Sequence, residues 1–333
     1  MIPVFLTSDE NYAKYMSVTI QSVIEGTKEK VAFYILDGGI ERATADKIKN
    51  QLKNTKHSIE FIKIDLSLFQ NFPDIRHFSM NTYFRYLIPD IKPKLKKILY
   101  IDTDMTIAGD VAEIYQTDLF GKGLGAVPYL EETYNKKEYQ KYKQNLGLSA
   151  AHSYFNAGLL LIDCDYWRQH NVTQTLFEKT NLFKNQLKMP DQDVLNLVFE
   201  QNYHILPPQY NIVADVTSTY FDFDAYFARF QGCRVIHYTG GKGVRPWVKQ
   251  DVPGQKLFWK FALKTPFFDN LKFELLLNQT THISNELQAA LPLSSTLRIR
   301  LFNILPILTI KTKQGRTKVY LFGIVLLLTI RRK

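Results

Sequence analysis

Three consecutive stretches decide the fold: Ile2-Pro-Val-Phe-Leu-Thr7, then Asn11 to Gly26, then Val31-Ala-Phe-Tyr-Ile-Leu36. The first is a short apolar run. In the second, Met16, Ile20, Val23 and Ile24 recur at helical spacing, and Gly26 closes the segment. The third is rich in β-formers and ends in Asp37-Gly38-Gly39, a turn sequence. Strand, helix and strand in that order make a βαβ unit, whose two strands lie parallel.

The alternation continues outward. Glu41–Asn54 reads as a helix, and Ser58–Ile64, Lys97–Ile101, Phe155–Ile162 and Arg234–Tyr238 read as strands. The expected fold class is α/β, a Rossmann-like, mostly parallel sheet flanked by helices. Ligands of such sheets sit beyond the carboxyl ends of the strands, so polar residues just after apolar runs are the first candidates for a site.

The chain has 333 residues, 45% of them hydrophobic, which is enough for a large core and excludes wholesale disorder. Its two cysteines, Cys164 and Cys233, form no Cys-x-x-Cys pair, which excludes a disulfide framework and a cysteine zinc site and fits a reducing compartment. The formal charge is +10, but it is unevenly placed. Residues 1–297 carry 33 basic and 32 acidic side chains, whereas Arg298–Lys333 carries nine basic and no acidic ones. A nearly neutral body with a basic tail argues against nucleic acid as partner and for a local anionic surface.

That tail repeats itself. Leu301–Lys313 aligns with Leu321–Lys333 at a shift of twenty, with seven of thirteen positions identical. Each copy has β-formers on both sides of Asn303 or Gly323, residue types that turn a hairpin. The longest apolar run, Val319 to Ile330, is twelve residues, short of the roughly 20 a spanning helix needs. The N-terminus lacks the basic region of a secretory signal. The expectation is a cytoplasmic protein, peripheral on the inner face of the cytoplasmic membrane through this tail. The expected domains are a catalytic domain over 1–265, a helical linker over 266–297 and membrane-association repeats over 298–333.

Several residues are placed for chemistry. Asp102-Thr103-Asp104 follows Ile98-Leu-Tyr-Ile101, and strand alternation puts both carboxylates on one side. Paired hard oxygens suit Mg²⁺ or Mn²⁺, while Asp102-x-Asp104-x-Thr106 also matches the nucleophile motif of haloacid-dehalogenase-type phosphatases. His237, at the end of Arg234-Val-Ile-His-Tyr238, is either a third ligand or a structural histidine, and Thr239-Gly240-Gly241-Lys242-Gly243 follows as a phosphate loop or a plain turn. Pro190-Asp191-Gln192-Asp193 opens a helix over Val194–Glu200, so Asp191 is either its cap or a site residue. Asn156 is a turn residue or a ligand-facing amide. Asp9, Asn11 and Tyr12 either hold a ribose or base, or cap the first helix. The segment Glu131–Ser149, rich in Tyr and Lys, is an acceptor-side lid or a solvated loop.

In their order, these motifs resemble glycosyltransferase family 8, the retaining GT-A-fold enzymes that include bacterial lipopolysaccharide galactosyl- and glucosyltransferases. The resemblance covers about residues 1–265. It implies a nucleotide-diphospho-sugar transferase fold with Thr7, Asp9, Asn11 and Tyr12 on the uridine of a UDP-sugar. Arg85, in Tyr83-Phe-Arg-Tyr86, matches the basic residue that helps hold the donor. Tyr100-Ile-Asp-Thr-Asp104 matches the metal motif, which makes Asp102, Asp104 and His237 ligands of Mn²⁺ or Mg²⁺ and brings Thr103 into the donor site. Phe155-Asn156-Ala157-Gly158 and Pro190-Asp191-Gln192-Asp193 match the sugar-binding segments, with Asp191 on sugar hydroxyls and Gln192 near the anomeric carbon as the catalytic pair. The family pattern His-x-x-Gly-x-x-Lys-Pro-Trp is two residues longer here, His237-Tyr-Thr-Gly240-Gly-Lys242-Gly-Val-Arg245-Pro-Trp247. Gly240 matches cleanly, and either Lys242 or Arg245 takes the place of the phosphate-binding cation. The tail is similar to repeats that follow some surface-polysaccharide glycosyltransferases.

The expected function is transfer of galactose or glucose from a UDP-sugar to a glycan, glycolipid or protein acceptor in cell-surface glycan synthesis. The alternatives are the phosphatase and a non-catalytic sugar-binding subunit.

Overall fold

The computed structural model describes residues 1–73, 79–240, 242–290, 295–301, 305–313, 316–321 and 324–331, with side chains through 281 except that of Lys242. The chain divides into two compact units, Met1–Pro246 with Gln250–Leu271, and Trp247–Lys249 with Lys272–Lys333.

The first unit is built on β1 (Ile2–Ser8), β2 (Val31–Asp37), β3 (Ser58–Lys63), β4 (Lys97–Ile101), β6 (Leu124–Pro128), β7 (Phe155–Asp163) and β8 (His204–Ile205), with β5 (Met105–Ala108) between β4 and β6 in the chain. The main sheet has the order β3-β2-β1-β4-β7-β6-β8. β3, β2, β1 and β4 run parallel to one another, whereas β7 is antiparallel to both β4 and β6. Val4, Phe5 and Leu6 are buried on both faces of β1, as a central parallel strand requires. The expected mostly parallel α/β sheet is therefore present, with one reversed strand that residue composition does not reveal.

Helix α1 (Ala13–Gly26) is buried at Ala13 and from Tyr15 to Val23, almost around its whole circumference. Such a helix is covered on all sides, and its polar residues need internal partners. Thr19 Oγ1 lies 2.8 Å from the carbonyls of both Thr103 and Met105, and Ser22 Oγ accepts the Ile107 N–H at 3.0 Å. These bonds tie the turn after β4, and with it the Asp-x-Asp sequence, to a rigid helix. β5 then pairs with β10 (Arg234–His237), and β10 with β9 (Ile212–Val213), in a separate three-stranded sheet. Arg234–Tyr238 is a strand as expected, and its long-range pairing with β5 places it beside the Asp102-Thr103-Asp104 turn, Met105 against His237.

A 3₁₀ helix, Met80–Leu87, carries Arg85 inward. Its aromatic residues anchor it: Tyr83 meets Phe72 edge-on with ring centroids 4.8 Å apart, and Phe72 meets Phe177 at 4.9 Å. The segment expected as a lid or solvated loop forms two helices, Leu130–Tyr134 and Lys136–Leu146. Lys143 is buried at 2% exposure, paired with Glu132 and donating to the carbonyls of Ala150 and His152, so the segment is a helical pair and not a loop, although most of its side chains still face solvent.

The second unit holds most of the helix Phe268–Ala290 and an antiparallel sheet of β11 (Ser295–Leu301), β12 (Leu305–Lys313), β13 (Arg316–Leu321) and β14 (Ile324–Arg331). The two repeat copies each give strands on either side of the expected turns, while Asn303 and Gly323 lie outside the described residues. The register sets Leu297, Ile310, Val319 and Leu326 in one row, and Thr296, Lys311, Lys318 and Thr329 in another. The run Val319–Ile330 thus folds back on itself, and no helix among the described residues is long and apolar enough to cross a membrane.

Candidate active site

A polar cleft opens at the carboxyl ends of β1 and β4, beside the start of β7. The Thr7–Tyr12 segment forms one wall, and the helix Pro190–Val198 with the 3₁₀ helix of Arg85 forms the other. At its base the ligand atoms of Asp102, Asp104 and His237 all lie within 4.8 Å of one another. His237 Nε2 is 3.2 Å from Asp104 Oδ1 and 3.8 Å from Asp102 Oδ2. The two carboxylates do face one site, but by a different route from strand alternation. Both lie in the turn between β4 and β5, and the antiparallel β5–β10 ladder, with Tyr238 N–H on the Asp104 carbonyl at 2.9 Å, sets the histidine against them.

Arg85 is 5% exposed and binds across the cleft. Its guanidinium reaches Asp102 Oδ1 at 3.0 Å and Asp191 Oδ2 at 3.1 Å, donates to the Ala157 and Thr82 carbonyls at 2.6 and 3.0 Å, and stacks 4.3 Å from the Tyr100 ring centroid. Tyr100 also donates to Asp102 Oδ1 at 2.8 Å. One oxygen of Asp102 is thereby held by fixed donors, while the other faces His237. Burial pushes the Asp102 carboxyl up, Arg85 and then His237 draw it back, and the net direction is upward. Burial also pushes Asp104 up, but His237 and Arg245 outweigh it and hold that carboxyl below its ordinary value.

Asp191 does not cap its helix, as one sequence reading had it. Met189 occupies the N-cap position without a side-chain bond, and the Asp191 carboxylate is taken by Arg85 and the Thr82 hydroxyl. Gln192 Oε1 accepts Asn156 Nδ2 and the Ala157 N–H, each at 3.0 Å. Asn156 is therefore a buried strand residue and not a turn. Asp193 accepts from the Tyr142 and Tyr154 hydroxyls at 2.5 Å, and from the Lys188 and Met189 N–H groups at 2.9 Å. Nor does a side chain cap α1 at its N-cap residue, Tyr12; instead Asp9 Oδ1 accepts the Tyr12 N–H at 3.1 Å.

Thr7, Asp9, Tyr12, Arg85 and the Asp102–Asp104 turn thus meet Asn156, Ala157, Asp191, Gln192, His237 and Arg245 around one cleft. Asn11 and Gly240 do not join them and are exposed at the surface. Gly240 has φ +109°, and a Cβ there would lie 2.5 Å from Asp215 Oδ2, so this position needs glycine for backbone reasons. Lys242 begins a short 3₁₀ turn, and its side chain lies outside the described residues. Arg245 Nη1 reaches Tyr12 OH at 3.5 Å. Sequence reasoning missed Thr82, Tyr154 and Asn211, each brought in by contacts across the chain.

Comparison with known proteins assigns this sheet, with the cleft at its strand ends, to a family of transferases. The glycosyl transferase family 8 profile matches residues 3–251, and the chain belongs to that family. A Haemophilus influenzae relative is 32% identical over 209 residues, 62% of this chain and 62% of its own length. A lipopolysaccharide 1,2-glucosyltransferase of Escherichia coli is 27% identical over 246 residues, covering 72% of this chain and 71% of the relative. The solved structure of galactosyltransferase LgtC in complex with donor and acceptor sugar analogs superposes with a TM-score of 0.69 at 27% identity, over 80% of this chain and 96% of that one. The fold is that GT-A fold. Family membership also removes the phosphatase alternative.

Proposed function

We propose that this protein is a retaining hexosyltransferase that moves galactose or glucose from a UDP-sugar to a hydroxyl of a glycan, glycolipid or protein, in cell-surface glycan synthesis. The observation that carries the reading is the convergence of Asp102, Asp104 and His237 within 4.8 Å at the base of the cleft walled by Thr7, Asp9 and Tyr12. Two carboxylate oxygens and one imidazole nitrogen fit a divalent ion of the Mn²⁺ or Mg²⁺ kind. Bound there, such an ion supplies Lewis-acid neutralisation of a departing diphosphate.

The chain's own residues do the rest. The Arg245 guanidinium stands on the Tyr12 side of the cluster, and its buried Nε has no hydrogen-bond partner among the described residues. An open, buried cationic donor is what a phosphate oxygen satisfies, which supports Arg245 as a diphosphate-binding residue. Asp191, fixed by Arg85 and Thr82, keeps acceptor capacity for the hydroxyls of the donor sugar. Gln192 lines the cleft beside it, but both lone pairs of its Oε1 are occupied. That oxygen is accordingly a wall of the reacting centre and not its nucleophile. The acceptor hydroxyl attacks from the face the diphosphate leaves, and its proton passes to a departing phosphate oxygen.

The tail's alternating apolar and basic rows support docking to the inner face of the cytoplasmic membrane, where an anionic leaflet meets unopposed cations. The test of the catalytic reading is UDP release from a panel of UDP-hexoses with Mn²⁺. Turnover in wild type and its loss in Asp102→Asn and Asp104→Asn support it, and equal turnover in all three refutes it.

A further inference from the structure

Two backbone N–H groups fix the polarity of a buried amide chain that ends on His237. An N–H can only donate, so the Gly158 N–H at 2.9 Å identifies the acceptor oxygen of Asn156, and the Ala157 N–H at 3.0 Å identifies that of Gln192. Asn156 Nδ2 then donates to Gln192 Oε1. Asn156 Oδ1 also lies 2.7 Å from the Asn211 amide, and that atom must be Nδ2. The Asn211 oxygen is left facing His237 Nδ1 at 3.1 Å. Two acceptors do not face each other at that distance without cost, so the proton belongs on Nδ1.

The far end of the chain gives the same answer independently. Asp193 Oδ2 is held by two backbone N–H groups, and its Oδ1 takes the Tyr154 hydroxyl proton. The Tyr154 oxygen is then an acceptor for Gln192 Nε2 at 3.2 Å, which again turns Gln192 Oε1 toward Asn156. Asn156, Gln192 and Asn211 are each 6% exposed, so water does not substitute for these partners.

Backbone pairing locks the last link. Asn211 immediately precedes β9, whose Val213 pairs with His237. A Cβ at Gly158 would lie 2.3 Å from His237 Cε1 and 2.8 Å from its Nδ1, so β7 closes against the imidazole only because glycine is there.

We propose that Asn211 is a positioning residue that holds a proton on His237 Nδ1, so that Nε2 is the nitrogen turned toward the Asp102–Asp104 pair and the one a divalent ion would take. Without Asn211, the nearby Asp104 oxygen favours a proton on Nε2 instead, which a cation must displace. The amide chain also joins metal-ligand geometry to the Gln192 wall, so the two are set by one network. This inference rests on the metal-binding part of the proposed function, but its test needs no sugar donor.

The experiment is ¹⁵N NMR of the imidazole nitrogens in metal-free full-length protein, with His237 assigned by a His237→Gln variant, alongside Mn²⁺ binding by calorimetry. Wild type is expected to show a protonated Nδ1. Asn211→Leu is expected to lose that proton and weaken Mn²⁺ binding about ten- to hundred-fold, the range for outer-sphere partners of metal-ligating histidines. Asn211→Asp keeps an acceptor for Nδ1–H and is expected to retain the proton. A wild-type Nδ1 that carries no proton, or an Asn211→Leu protein that melts normally with unchanged Nδ1 protonation and Mn²⁺ affinity, overturns the proposal. A protonated Nδ1 in a protein that turns over no UDP-hexose instead refutes the catalytic reading alone.

Discussion

Arg85→Met is the perturbation with the largest calculable effect on the architecture of the cleft. Methionine keeps much of the bulk but removes the charge that joins Asp102 at 3.0 Å to Asp191 at 3.1 Å. Both ion pairs are nearly dry, with the Arg85 side chain at 6% exposure, Asp191 at 6% and Asp102 at 25%. Exposed salt bridges are worth about 0–1 kcal/mol, but deleting one partner of a buried pair costs about 3–5 kcal/mol because the other charge is left uncompensated. Here two carboxylates are left, along with the Ala157 and Thr82 carbonyls that Arg85 satisfied. The expected loss is therefore about 3–5 kcal/mol, a third or more of the roughly 5–15 kcal/mol stability of a typical domain. Urea denaturation of metal-free protein at neutral pH measures it. Burial already pushes the Asp102 carboxyl up, and losing Arg85 pushes it further. The native state then binds a proton more tightly than the unfolded state, so stability rises as pH falls through the raised value, and the deficit is expected to shrink in mild acid. A loss below about 1 kcal/mol, or a deficit that grows on acidification, contradicts the assignment of Arg85 as a buried tie.

Three other outcomes follow from the same structure. Deleting residues 298–333 is expected to abolish co-sedimentation with anionic vesicles while leaving soluble turnover intact; retained binding refutes the tail's role. Arg245→Ala is expected to raise the KM for the donor more than it lowers kcat, as steady-state kinetics will show. Burial pushes the Cys164 and Cys233 thiols up to about 12. Both should resist alkylation at pH 8 until the protein unfolds. Their raised values also contribute a loss of stability as pH climbs from the unfolded thiol value near about 8.5 toward 12, readable in alkaline denaturation.

What the sequence discloses is what local periodicity carries. Lys97–Ile101 is a strand over the same residues in sequence and structure, and β1, α1 and β2 differ from their expected spans by only a residue or two at their ends. These segments are long enough, and apolar enough, to specify themselves. β8 and β9 are two residues each and exist only through pairing, so no pattern announces them. The reversal of β7 is equally silent, because a strand buried on both faces reads the same in either direction. The site follows that division. Asp102, Asp104 and His237 stand next to apolar runs and are visible, although the turn and the β5–β10 ladder that join them are not. Asn211 lies 26 residues from His237 and Thr82 lies 109 from Asp191, so only the folded topology brings them against these site residues.

The most direct test is UDP release and product stereochemistry with UDP-galactose and UDP-glucose, with Mn²⁺ and after chelation, in wild type and an Asp102→Asn/Asp104→Asn double variant. The expected result is metal-dependent turnover with retained anomeric configuration that falls by about a hundred-fold or more when the ion or its two carboxylates are removed, the kinetic equivalent of about 2.7 kcal/mol of transition-state stabilisation. Turnover unaffected by chelation and by the double variant, or an inverted product, would contradict it.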